Sequence, residues 1–194
     1  MFSCLLFLSS SISAQTTKGF LSFGNCKIEF LYPAEWKNFI TDYSHCEESN
    51  PDLSENSITE ITLPQPSFSE KITPRVTISV EPCCELIPSN EIEGYPTPIR
   101  NMTLEEYVNQ TVNDLNTRFS FINVGNISLA GNEAYKIVTG LNETNPASAI
   151  VFSINGTKLY TIEYRADPSE YDIYLPGLQK IVDSLGMRNN VNSS

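Results

Sequence analysis

Basic residues are scarce in this chain. Twelve lysines and arginines stand against 23 acids, a formal net charge of −11. Such a balance repels phosphate backbones and anionic lipid surfaces and so disfavours nucleic-acid binding. The acids are dispersed, as on a solubilising surface. One partial exception is the polar stretch Cys46-Glu47-Glu48-Ser49-Asn50-Pro51-Asp52, able to attract cations weakly. Histidine is nearly absent: His45 is the sole imidazole. Gly-x-Ser-x-Gly, His-Glu-x-x-His, phosphate-loop and Cys-x-x-Cys patterns are all missing, so no catalytic residue is assigned. Internal repeats, low-complexity tracts and linkers are missing too, which leaves one domain. Hydrophobic residues make up 40% of the 194, enough for one sizeable core and against intrinsic disorder.

Only one long uncharged, largely apolar run exists, and it opens the chain. Residues 1–14 read MFSCLLFLSSSISA, too short to span a bilayer as a helix and ending in small residues before Gln15. This is the pattern of a secretory signal peptide, although a basic start is lacking. The expectation is an exported chain, secreted or associated with the cell surface, with no transmembrane segment after cleavage. Six Asn-x-Ser/Thr sequons agree with export: Asn101, Asn109, Asn126, Asn142, Asn155 and Asn192.

Loss of the signal would remove Cys4 and leave Cys26, Cys46, Cys83 and Cys84. An even count in an exported chain reads as disulfides. A bond between the adjacent Cys83 and Cys84 would strain the peptide between them. Cys26 and Cys46 are therefore expected to pair with Cys83 and Cys84, in either order. The sharper alternative gathers His45, Cys46, Cys83 and Cys84 around Zn²⁺ or Cu⁺. Its spacing is poor, because adjacent cysteines rarely both ligate one tetrahedral ion. No metal or cofactor is assigned. His45 beside Cys46 as a nucleophilic pair would need a thiol at Cys46, where a disulfide is expected.

Turn signals fall between β-like runs at Gly24-Asn25, Gly131-Asn132 and Asn155-Gly156, predicting three hairpins and a mainly antiparallel sheet. Alternation puts Cys26, Ile28, Phe30 and Tyr32 on one face, as it does Val76, Ile78 and Val80. Tyr160, Ile162 and Tyr164 share a face opposite Leu159. Ala149-Ile150-Val151-Phe152 is apolar on both sides, which predicts a central strand covered above and below.

Two helices are marked. The first runs from Leu104 to about Arg118, with Thr103 as N-cap and Glu106 completing a capping box. Its apolar stripe is Leu104, Tyr107, Val108, Thr111, Val112 and Leu115. The second helical region spans Pro168 to about Leu185, capped by Asp167 and ended by Gly186. Pro176-Gly177 predicts a kink or a split within it. The acids at both helix starts are explained by the dipole without acid–base chemistry. Thr41–Ser57 and Cys84–Arg100 read as surface loops. Residues 15–186 form the domain, and 187–194 read as a flexible tail.

This ordering resembles the PsbP-like family, in a relative outside photosynthesis. The likeness rests on "YPAEW" (Tyr32–Trp36), "TLEEYVNQ" (Thr103–Gln110), "ISLAGNEAYKIV" (Ile127–Val138) and "ADPSEYDIYLPGLQKIVDSLG" (Ala166–Gly186). It covers Gly19 to Gly186. The resemblance implies an α+β fold, an α/β/α sandwich with a central antiparallel sheet flanked by helices. In it Pro33 and Trp36 close the first hairpin, and Gly131 holds a turn above Ala134 and Tyr135. The Cys-containing loops depart from the family pattern, and no photosystem role is carried over. The functional expectation is an exported, non-enzymatic accessory module with a protein partner. The alternatives are a metal-handling protein and an unrecognised secreted hydrolase or redox enzyme.

Overall fold

The computed structural model describes residues 19–42, 57–63, 73–83, 102–142 and 145–188. The elements run β1 (Phe20–Gly24), β2 (Ile28–Pro33), a 3-10 helix (Ala34–Phe39), β3 (Ile40–Asp42), β4 (Ser57–Thr62) and β5 (Arg75–Pro82). Then come α1 (Leu104–Leu115), β6 (Phe121–Leu129), β7 (Asn132–Asn142), β8 (Asn145–Asn155), β9 (Lys158–Arg165), α2 (Tyr171–Ser184) and β10 (Gly186–Met187). Seven strands form one antiparallel sheet in the order β3-β4-β5-β9-β8-β7-β6. A second, three-stranded sheet has the order β1-β2-β10. The molecule is a mixed α+β fold.

Strand alternation distributes the core between two apolar clusters. In β8, Ala149 and Val151 join the cluster containing α2, while Ile150 and Phe152 join the cluster containing α1. This accounts for the unbroken apolar run at Ala149–Phe152, which has apolar neighbours on both faces. Tyr160, Ile162 and Tyr164 of β9 are fully buried on the α2 side, and Leu159 is buried on the other. Val76, Ile78 and Val80 of β5, with Ile28, Phe30 and Tyr32 of β2, complete the larger cluster.

The helices form where their sequence signals lie. The capping box of α1 closes as expected: Thr103 Oγ1 accepts from the Glu106 amide, and Glu106 Oε2 accepts from the Thr103 amide. These bonds satisfy two otherwise orphan donors. Its stripe meets the sheet through Val108, with Tyr107 edge-on to Phe152 at 5.2 Å between ring centroids. The second helix starts later than expected. Asp167 Oδ1 accepts from the Ser169 amide and hydroxyl, which holds a turn over 168–170, and Glu170 occupies the cap position with no side-chain cap bond. Pro176 neither splits α2 nor ends it. The carbonyl it strips of a donor belongs to Asp172 in the exposed first turn, where that loss is small.

Gly177 sets how α2 sits. A Cβ built there would lie 2.4 Å from the Trp36 ring and 2.9 Å from Pro33 Cγ. Only glycine lets the indole lie directly on the helix. Trp36 is 2% exposed and also stands edge-on to Tyr174.

All three expected hairpins are present, with shifted turns. Leu129 pairs with Asn132, so the β6–β7 loop is Ala130-Gly131, at φ 51° and 80°. Asn155 pairs with Lys158, so the β8–β9 loop is Gly156-Thr157, with positive φ at Gly156 alone. The first hairpin departs further. Between Gly24 and Ile28 the chain uses Asn25, whose Oδ1 accepts from the Lys27 and Ile28 amides, both at 2.9 Å. Because this Asx turn does the folding back, no residue there needs positive φ. The expected flexible tail also needs correction at its start. Met187 pairs with Ile28 in β10, the Arg188 amide donates to Lys27 O, and the Arg188 guanidinium pairs with Glu29.

Candidate interaction surface: the β6 edge and the α2 cleft

The cysteines assemble only in part as expected. Cys26 is disulfide-bonded, and its partner lies outside the described residues. Cys83 is a thiol, 3% exposed, packed among Val108, Ile137, Ile150, Phe152 and Leu159 under α1. The disulfide expected at Cys83 is therefore corrected, and the residue behaves as a small core hydrophobe. Its place follows from the strand that carries it: the Cys83 amide donates to Thr157 O at 2.7 Å, continuing the β5–β9 pairing inward. His45, Cys46 and Cys84 lie outside the described residues, as do Asn101 and Asn192. Among the described residues no group of three or more His, Cys, Asp or Glu is placed to hold a metal ion. Asn109, Asn126 and Asn142 are exposed and Asn155 is half-buried, so the described sequons are spread over α1, β6, β7 and β8.

Buried tyrosines are the largest polar groups in the core. Tyr164 Oη donates to Tyr171 O at 2.7 Å, and their rings are 5.1 Å apart. Burial, then the neighbouring Asp172 carboxylate, pushes the Tyr171 phenol up to about 12. Burial also raises Tyr164, helped by Tyr171, Tyr174, Asp172 and Glu170. These phenols stay neutral at ordinary pH and serve packing rather than nucleophilic chemistry. The buried Tyr160 Oη and Ser57 Oγ have no hydrogen-bond partner. Both residues pair with Val80, one from each side of β5.

The surface is more informative at one edge of the large sheet. At the far edge, β3 is three residues long and ends in Asp42, a short and charged strand of the kind that resists further pairing. The opposite edge is β6, nine residues reading FINVGNISL. It has no charged residue and no proline, and its register with β7 is continuous from Phe121 to Leu129 without a bulge. Asn123 to Asn126 are exposed, with Val124 at 41%. Among the described residues, the charge, proline and bulge that commonly blunt an edge are missing from β6.

A cleft of about 100 Å³ opens between this strand and α2. Ile127, Val151, Leu178 and Val182 supply its apolar walls, and Lys136, Gln179 and Asp183 its polar ones. Gln179 Nε2 donates to Asp183 Oδ1 at 2.8 Å, which occupies one oxygen of that carboxylate. No carboxylate among the described residues pairs with Lys136. Two features thus lie together: an uncharged edge strand of the described sheet and a small apolar cleft beside it. Sequence reasoning missed both, because strand order is a long-range property. The one local signal was the absence of charge and proline from Phe121 to Leu129.

The fold and this surface define a mixed α+β protein built on antiparallel sheets, with β6 at one edge of the larger sheet. No family model and no curated protein matches the sequence. Among solved structures it is similar to the solution structure of cyanobacterial PsbP from Synechocystis sp. PCC 6803, at 14% identity and a TM-score of 0.47, over 92% of this chain and 98% of that one. Among the described residues no helix is long and apolar enough to cross a membrane.

Proposed function

We propose that this chain is an exported, non-enzymatic accessory module of the PsbP-like type, an α/β/α sandwich that acts by engaging a protein partner. The observation that carries the reading is the unblunted β6 edge lying beside the α2 cleft. Supporting it are the sequence motifs shared with the PsbP-like pattern, the signal-like segment 1–14 and the sequons. The sequons at Asn101, Asn109, Asn142, Asn155 and Asn192 belong to the same proposal as glycan sites, as does the cleavage before residue 15; Asn126 lies on the β6 edge itself, and use of that edge requires it unmodified. The test is crosslinking of the tagged full chain in its exported fraction, followed by mass spectrometry. The expected result is one stoichiometric partner whose crosslinks reach Lys136 or Lys180. A chain that gives only intramolecular crosslinks, or that turns over a substrate in hydrolase and redox screens, overturns the reading.

A further inference from the structure

We infer that the cleft beside α2 binds a free α-amino acid with a short branched aliphatic side chain, of the valine or leucine kind. Its apolar lining is Ile127, Val151, Leu178 and Val182, and its volume is about 100 Å³. A cavity of about 150 Å³ holds a benzene ring, so this one takes a branch of about three or four carbons and excludes an aromatic ring. The polar lining carries one charge of each sign, Lys136 and Asp183. They do not pair with each other, and Lys136 has no ion-pair partner among the described residues. Gln179 Nε2 engages Asp183 Oδ1, which leaves Asp183 Oδ2 and Gln179 Oε1 as acceptors. Leu178 and Val182 are buried, Lys136 is half-buried, and Gln179 and Asp183 are exposed, so the charges lie toward solvent and the apolar groups away from it.

A second observation lies on β6. Gly125, Lys136 and Val151 form one row across β6, β7 and β8. Directly opposed residues share a face of the sheet, so Gly125 leaves the slot outside Lys136 without a side chain. Among the described residues nothing requires glycine there. Its φ is not positive, the β6–β7 register has no bulge, and an added Cβ would meet no atom within 4 Å. A glycine inside a strand weakens it, and close approach of a ligand is one of the few reasons to keep one. Asn126, the next residue, pairs with Tyr135 of the α1-side cluster, so a glycan there would stand on the other face and leave the cleft clear. A free amino acid uses every part of this arrangement. Its carboxylate meets Lys136, its ammonium meets Asp183 and Gln179, and its branch enters the apolar lining. Both protein charges are near solvent and screened, so the branch sets affinity and the charges set selectivity.

The experiment titrates the full chain with L-valine and with L-leucine, read by saturation-transfer NMR on the ligand. Saturable binding of both is expected. L-phenylalanine, N-acetyl-valine and valinamide should each bind at least tenfold more weakly than L-valine. Gly125→Val fills the slot beside Lys136 and should weaken binding at least tenfold while melting no lower than the wild type, since valine favours strands. Lys136→Met should weaken valine until it binds no better than valinamide. Asp183→Asn should weaken valine until it binds no better than N-acetyl-valine. A merely structural role for either residue would weaken all three ligands together. No saturable binding, or undiminished binding by Gly125→Val, overturns the inference. N-acetyl-valine bound as tightly as valine by the wild type overturns it in favour of the carboxyl end of a chain, and valinamide bound as tightly overturns it in favour of an amino end. The inference does not rest on the protein-partner reading, so its failure leaves the crosslinking result standing, and a failed crosslinking test leaves the titration to decide the cleft.

Discussion

Gly177 occupies a position where a helix would ordinarily favour alanine by about 1 kcal/mol. The contact with Trp36 reverses that preference. An alanine Cβ would overlap the indole, and forced overpacking of this kind costs about 1–3 kcal/mol. Gly177→Ala should therefore destabilise the protein by up to about 2 kcal/mol net, measured by urea unfolding, and shift the emission of the single tryptophan. In a Trp36→Ala background the penalty should shrink, since only the Pro33 contact is left. An undiminished penalty would show that Pro33, not the indole, is what requires the glycine. The sequence places a glycine after a proline here and reads as a helix break, because the partner that makes it necessary lies far away in the chain. Tyr160 and Tyr164 offer a paired comparison at the same scale. Tyr160 Oη is buried without a partner, so Tyr160→Phe should leave stability unchanged or raise it by up to about 1 kcal/mol. Tyr164 Oη donates to Tyr171 O, so Tyr164→Phe should cost about 1 kcal/mol. If both substitutions are equally destabilising, Tyr160 has a polar partner such as an ordered water.

Elements were legible where the signal was local. Thr103 and Glu106 lie three residues apart, and the box they form closes in the structure. The hairpins were legible in number, because Gly and Asn punctuate β-like runs, yet each turn moved. Asn132 and Asn155 are taken into strands, and the neighbouring residue takes the loop position. The β6–β7 turn shows the consequence. Ala130 holds φ 51°, a left-handed conformation that costs a residue with a Cβ about 1–2 kcal/mol. Ala130→Gly removes that penalty, offset in part by the entropy of a more flexible unfolded chain. The expected outcome is a gain of about 0.5–1 kcal/mol in thermal or urea unfolding, and Ala130→Asn should gain less. A loss in both variants would mean the turn is held in another conformation. The role of β6 as an edge could not be read locally at all. Nothing in FINVGNISL distinguishes an edge strand from a central one except its missing charges, and central strands lack them too.

Across the whole molecule, the alternating faces of β8 and β9 were readable as a sheet covered on both sides, and the two clusters bear that out. Covalent bracing was readable only in part: Cys26 is disulfide-bonded as expected, but cysteine count alone cannot tell a staple from the core residue that Cys83 is. The tyrosines gathered on the α2 side make a prediction for the fold as a unit. Tyr171 has an ordinary value of 10.0, raised to about 12 by burial first and by Asp172 second, and Tyr164 is raised as well. A phenol raised on folding binds its proton more tightly in the native state. Below pH 10 both states are protonated, and the groups give stability no slope. Between about pH 10 and 12 the unfolded chain has lost these protons while the native state keeps them, so unfolding releases protons and stability falls as pH rises. Melting measured from pH 8 to 12 should be flat at first and then drop cooperatively above about pH 10. Tyr171→Phe should make that drop shallower, whatever its effect at neutral pH. An unchanged slope in the variant, or a molecule whose melting ignores pH up to 12, would mean the phenol is solvated in the native protein and the α2 cluster is looser than its packing indicates.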